Sequence, residues 1–279
     1  IAFLTAVQNP PYRWYWLLVA GFLTGLSALI RPASLLLPAT WMLAWLWIHR
    51  SELFSRQAGN VLWQCFTIST LTGLSMLATI LPWSIRNFEV TGHFVLVASE
   101  GGITFLSGHN ERAIEDEYSL DGPLFDQLKS EHLDEIALDK RAFELGLKFI
   151  RENPAFEVRL LIHKTINFFK DDVSGITYNI LSAIRTLPKW FNFFMKGIAQ
   201  IYYMLIMVLA LSWPFTRQYP KEPWYIVLIV FLAYWTSIHL AFYGKDRFRI
   251  PMMPMLIPFA SITILALWDR RNTIIKLRR

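Results

Sequence analysis

The sequence predicts an all-α, multi-pass helical membrane protein with about six transmembrane helices and a large, mainly helical extracytoplasmic loop. Three observations predict it. Of 279 residues, 54% are hydrophobic and 15% aromatic, with a mean hydropathy of +0.35, more apolar than a soluble domain tolerates. The apolar residues fall in blocks of helical length rather than evenly. Charge is segregated as well: residues 88–169 hold 15 of the 21 acidic side chains and 8 basic ones, leaving 6 acidic and 19 basic elsewhere. The net charge of +6 describes neither part.

Taken in order, residues 14–29 are apolar, Arg31-Pro32 interrupts, and a second apolar run covers 33–48. Each run is shorter than the ~20 residues of a straight span, which suits a hairpin meeting at Arg31 or a locally thinned bilayer. A polar link at 49–60 carries Arg50 and Arg56. The third span, 61–81, is expected to stop at Pro82, because proline lacks an N–H and clashes with the preceding turn. Trp83 then sits at headgroup level and Arg86 just beyond the hydrocarbon. Spans resume near 197–213, 224–242 and 250–268. The chain thus divides into 1–85 (helices), 86–196 (extracytoplasmic loop) and 197–279 (three helices and a basic tail).

Within the loop, Phe94, Val95, Leu96 and Val97 suit a short strand or an extended lead-in, and Gly101-Gly102 a turn that brings backbone close to a neighbour. One helix is expected over 126–150, where Leu128, Leu133, Ile136, Phe143, Leu147 and Ile150 recur near a 3.6 period. Asn153-Pro154 reads as an N-cap and first helical position, opening a second amphipathic helix through Leu160, Leu161 and Phe168. Both helices suit a membrane surface or the cap of a bundle.

Orientation follows from the basic residues of the short connections. One side carries ten (Arg13, Arg50, Arg56, Arg217, Lys221, Arg270, Arg271, Lys276, Arg278, Arg279) and the other four (Arg31, Lys245, Arg247, Arg249). The ten belong in the cytoplasm. Loop 86–196 then faces outward, on the side of the four.

Composition also excludes classes. No stretch combines a basic face with exposed stacking aromatics, so nucleic acid is not the expected partner. Cys65 is the single cysteine, which rules out an internal disulfide and a thiolate metal cluster. No histidine pair has zinc spacing, and Asp171-Asp172 and Glu115-Asp116-Glu117 read as solvated faces rather than metal motifs. These residues identify no cofactor and no metal-ligand set, and leave dependence on a divalent metal open. The chain opens on Ile1 without a start methionine, which suggests that it begins partway through a longer protein.

Four segments, in order, carry a family resemblance. They are Gly21 to Pro32, a glycine-rich helix ending in Arg-Pro; Pro82-Trp83-Ser84-Ile85-Arg86-Asn87 with Thr91-Gly92 and Gly101-Gly102 after it; Phe149-Ile150-Arg151-Glu152-Asn153-Pro154 with Lys164 ten residues on; and Arg247-Phe248-Arg249-Ile250-Pro251-Met252-Met253-Pro254. Together they resemble the C-terminal part of a bacterial GT-C type membrane glycosyltransferase, the group of the protein O-mannosyltransferases and aminoarabinose transferases. The resemblance covers nearly the whole chain. Phe248 stands where tyrosine is usual in that family, and Glu100 where a small polar residue is.

The resemblance implies an enzyme of the bacterial inner membrane whose active face is extracytoplasmic. Its partners would be a polyprenyl-phosphate-linked sugar donor, membrane lipids and an acceptor that is a lipid, glycan or protein. The leaving lipid phosphate gains charge as the glycosidic bond breaks, so fixed cations favour the transition state. Arg31, Arg86, Lys245, Arg247 and Arg249 have the type and side for that phosphate. Asn87, Glu100, His109 and Asn110 are substrate-contact candidates, although Glu100 also reads as solvated and Gly108-His109-Asn110 as a surface turn. His239 reads as a packed, hydrogen-bonded histidine. The catalytic base is expected in a loop upstream of this chain. A transporter or flippase of an anionic lipid or solute, and an O-antigen ligase-like enzyme, are the competing readings.

Overall fold

A computed structural model describes residues 3, 13–115, 120–177 and 188–277, the side chains of 13 and 271–277 excepted. Asp116, Glu117 and the side chains of Arg13, Arg271, Lys276, Arg278 and Arg279 lie outside that description. About 80% of the chain is helical, and no strand occurs among the described residues.

Helix α1 (Arg13–Ile30) ends where Arg31 is extended (φ −141°, ψ 108°) before Pro32, the backbone a residue preceding proline prefers. A 3₁₀ turn (Pro32–Leu36) leads into α2 (Leu37–Ile48). Helix α3 (Ala58–Thr91) packs along α1. A Cβ on Gly21 would lie 2.3 Å from the Thr72 carbonyl oxygen, and one on Gly25 2.6 Å from Thr79 Cβ. Small residues four apart therefore let the two backbones touch, and Ser75 Oγ donates to the Leu18 carbonyl across the contact at 2.7 Å. Gly21→Val is accordingly expected to cost about 1–3 kcal/mol, read as a lower melting temperature in detergent. An unchanged melting temperature would contradict this packing.

The third helix does not stop at Pro82. It runs 34 residues to a left-handed Gly92 (φ 71°), whose N–H bonds the Phe88 carbonyl. At 1.5 Å per residue that is about 50 Å, longer than the ~30 Å of a bilayer's hydrocarbon. Proline removes one backbone bond, and the returning chain braces the turns that follow. Trp83 Nε1 donates to the Val97 carbonyl (2.9 Å), Ser84 Oγ to Leu96 (2.7 Å) and Asn87 Nδ2 to Val95 (3.2 Å). The same bonds explain why 94–97 is not a strand: helix side chains take its carbonyls.

A short helix, α4 (Gly101–Ser107), replaces the expected turn at Gly101-Gly102. The single helix expected over 126–150 is two, α5 (Pro123–Ser130) and α6 (Glu135–Glu152), with His132 between them at φ 48°. Asp134 caps α6, its Oδ1 accepting from Ala137 N–H at 2.9 Å, and that local cap broke the helix without disturbing the apolar period. Both pieces bury their apolar faces on one core of Leu106, Phe125, Leu128, Ala142 and Leu145. Helix α7 (Pro154–Phe169) starts at the expected proline. Asn153, however, donates back to the Phe149 carbonyl (3.1 Å) and makes no N-cap bond.

The chain closes with α8 (Lys189–Thr216), α9 (Trp224–Ala241), a 3₁₀ turn (Asp246–Met252) and α10 (Met253–Leu277). Four stretches, Ala58–Thr91, Lys189–Thr216, Trp224–Ala241 and Asp246–Arg270, are long and apolar enough to cross a membrane, while the two first apolar helices are shorter. One core joins α1, α2, α3 and α9 through Leu17, Trp45, Ile68 and Val227; another joins α8, α9 and α10 through Trp213, Leu228 and Phe259. Phe66, Leu74, Leu211 and Ile264 are exposed on the long helices, as side chains meeting lipid are.

Candidate functional site: two arginines on one ring

The site is built on the bend between α9 and α10. Asp246 is buried and pins that bend, its Oδ1 accepting from the Arg247 N–H (2.8 Å) and its Oδ2 from the Ser174 N–H (3.0 Å). Lys245 is half-buried at the head of the turn. The tight 3₁₀ geometry then sends successive side chains to different surroundings: Arg247 is exposed, Phe248 half-buried and Arg249 buried. Trp235 Nε1 holds the Phe248 carbonyl (2.7 Å), and the Phe248 ring packs 4.7 Å from His239 and 5.2 Å from Tyr243.

Two cations meet on that ring. The Arg247 guanidinium carbon lies 5.0 Å from its centroid, and that of Arg31, from the α1–α2 break, lies 5.3 Å away. Arg247 Nη2 donates to the Tyr243 hydroxyl at 3.1 Å, so a tyrosine hydroxyl is present here although position 248 lacks one. Arg31 Nη1 is buried and has no hydrogen-bond partner. Among the described residues no carboxylate pairs with either arginine. Stacking on a ring contributes about 0.5–2 kcal/mol and by itself engages none of the fork's N–H donors, of which Arg247 gives one to Tyr243. Two like charges sharing one ring, with a buried N–H unmet, are complementary to an anion.

Arg249 does something else. It is 1% exposed, donates to the carbonyls of Phe168 and Asp171, reaches Asp172 Oδ1 at 3.4 Å, and stacks 4.0 Å from the Tyr203 ring. Its guanidinium clasps the end of α7 to α8 and the bend. Burial raises the Asp172 carboxyl above its ordinary range, outweighing the attraction of Arg249, and Asp246 pushes the same way. A carboxyl raised in the fold binds more protons folded than unfolded. Its contribution therefore favours folding at low pH and turns against it as pH rises through the raised value. Asp172→Asn is expected to gain melting temperature relative to the parent as pH rises above the ordinary carboxylate range; a pH-independent difference would contradict that.

The other candidate residues, His239 excepted, make their contacts away from the ring. Arg86 is exposed, stacked 4.9 Å from the Trp83 ring and donating to Asn87 Oδ1 at 3.3 Å. Asn87 is buried and spends its amide on the 95–97 backbone. Glu100 is exposed and makes no capping bond; Asp139 Oδ1 caps α4 instead, accepting from Gly102 N–H (2.7 Å) and Ile103 N–H (3.1 Å). His109 and Asn110 are buried, not a surface turn. Asn110 Nδ2 closes α4 by donating to the Leu106 and Ser107 carbonyls. His109 Nδ1 lies 2.9 Å from Glu157 Oε2, and its Nε2 lies 2.9 Å from the Ala241 carbonyl and 3.3 Å from Lys164 Nζ. His239 is packed and bonded, as expected, to the Trp235 carbonyl (2.7 Å).

Sequence reasoning missed Tyr243, Asp246, Glu157 and the burial of Lys164. One signal was visible: Lys164 falls four residues from both Leu160 and Phe168, on the apolar stripe of its own helix, where a charge needs a partner. No family model, curated protein or solved structure matches the chain.

Proposed function

We propose that the protein is a membrane glycosyltransferase that moves a sugar from a polyprenyl-phosphate donor to an extracytoplasmic acceptor lipid, glycan or protein. The observation that carries this reading is the Arg31–Phe248–Arg247 arrangement, two uncompensated guanidinium groups with one buried N–H unmet. Arg31 and Arg247, helped by Lys245, hold the lipid phosphate. As the glycosidic bond breaks and charge grows on that phosphate, the two forks stabilise the leaving group without reorganising. Arg249 keeps the bend in place, and Arg86 stands at the outer mouth.

A second feature supports a lipid-linked phosphate over a soluble one. Below Arg31 lies a cleft of about 240 Å³ lined by Leu23, Thr24, Ser27, Trp41, Phe231 and Met255. Ser27 is one helical turn from Arg31, whose N–H bonds its carbonyl at 2.8 Å. In this reading the cleft takes only the isoprene units nearest the phosphate, which sits at the arginines. Likewise α1 and α2 are short spans that bring the total to six, the side with ten basic residues faces the cytoplasm, and the acceptor's proton passes to a carboxylate base.

The test is transfer by the purified protein, expressed from its complete reading frame and reconstituted in vesicles with a radiolabelled polyprenyl-phosphate sugar. Release of polyprenyl phosphate with label on an acceptor is expected. Label moving between leaflets with the donor intact would overturn the enzyme reading in favour of a flippase.

A further inference from the structure

The second polar cluster, remote in role from the arginine pair, lies at the floor of a groove between α7 and α9. The groove has a volume of about 590 Å³. Val158 and Leu161 of α7 and Leu240 of α9 line its walls, with Ser237 at the rim. Val158 and Leu161 are 61% and 50% exposed, so the groove is open along the side of a helix apolar enough to cross a membrane.

At its floor, His109 faces Glu157 Oε2, the Ala241 carbonyl and Lys164 Nζ. Chain packing forces these together: a Cβ on Gly108 would lie 1.8 Å from the Phe242 carbonyl oxygen, so only glycine lets α4 seat His109 against the end of α9. One acceptor is left over. Glu157 Oε1 is buried and has no hydrogen-bond partner, and a buried carboxylate oxygen without a donor costs free energy until one arrives.

We propose that this groove binds a membrane amphiphile whose apolar chain ends in a neutral hydroxyl, the chain lying along Val158 and Leu161 and the hydroxyl donating to Glu157 Oε1. The chemistry selects that head. Glu157 already faces His109, whose other ring nitrogen lies 3.3 Å from Lys164 Nζ, so an ammonium head would add an unmatched positive charge and a phosphate head would meet a carboxylate. A hydroxyl supplies the one missing donor and leaves the charge unchanged. The inference is independent of glycosyl transfer and of the arginine pair.

The test uses the intact protein in phosphatidylcholine nanodiscs, whose lipid has no donor, with two photoactivatable probes: a diazirine-bearing 1-hexadecanol and its methyl ether. Cross-linked peptides are mapped by mass spectrometry. The alcohol is expected to label 158–161 and 237–241 about 10-fold more than the ether, as a hydrogen bond to a charged acceptor implies. Leu161→Trp, at an exposed site that fills the groove, is expected to abolish labelling there, and Glu157→Gln to level the two probes by turning the free oxygen site into one that also donates. Equal labelling by alcohol and ether in the parent would overturn the proposal. So would labelling of the exposed face of α8 as strong as that of the groove, or labelling unmoved by Leu161→Trp.

Discussion

Arg31→Ala is expected to cut sugar transfer by about 100-fold or more, the loss seen when one preorganised donor to a developing anion is removed, in a protein that still folds and inserts. The separation follows from the contacts. Among the described residues Arg31 has a stacked ring and makes no side-chain hydrogen bond or ion pair, so its structural worth is about 1 kcal/mol. Arg31→Lys keeps the charge but loses the bidentate fork and is expected to recover only part of the rate. Single-turnover release of polyprenyl phosphate, normalised to the amount of inserted protein, measures both. Full activity in Arg31→Ala would remove the phosphate role.

Arg249→Leu is expected to do the reverse, costing about 3–5 kcal/mol of stability. The lost guanidinium leaves the Phe168 and Asp171 carbonyls and the Asp172 carboxyl without their common donor, and it strips a cation from the Tyr203 ring. Adding Asp172→Asn to Arg249→Leu should return part of the loss, because the two residues are coupled. Thermal unfolding in detergent across the double-mutant cycle measures it. An Arg249→Leu protein with unaltered melting would show that the clasp does not hold α7, α8 and the bend together.

Arg31 and Arg249, one a ring-stacked cation and the other a buried clasp, mark what sequence could and could not say. Block hydropathy located the long helices, and the Arg31-Pro32 break follows from a restriction on the residue before proline that no tertiary contact had to supply. The Pro82 stop failed because Trp83, Ser84 and Asn87 hold a segment that returns only after Gly92. Such bonds connect residues about ten apart and leave no periodic trace. Likewise the apolar period over 126–150 continued through a break that Asp134 made locally. At the site, residue type and shared side pointed to Arg86 and Lys245 as much as to Arg31, Arg247 and Arg249. The division of the last three into two ring-stacked cations and one buried clasp depends on the turn of a 3₁₀ bend and on Phe168 and Asp171 carbonyls arriving from α7. His109 read as a loop residue because its partners, Glu157 and Ala241, lie 48 and 132 residues away.

The most direct measurement is equilibrium binding of a polyprenyl monophosphate to the protein in nanodiscs, which requires neither a sugar nor an acceptor. Arg31→Ala and Arg247→Ala should each weaken binding by about 10-fold or more, the paired variant by less than the product of the two because they share one phosphate, and exposed Arg86→Ala by about 2-fold or less. Binding unchanged in the Arg31→Ala/Arg247→Ala protein, or lost in Arg86→Ala alone, would contradict the assignment of the ring-stacked pair as the phosphate site.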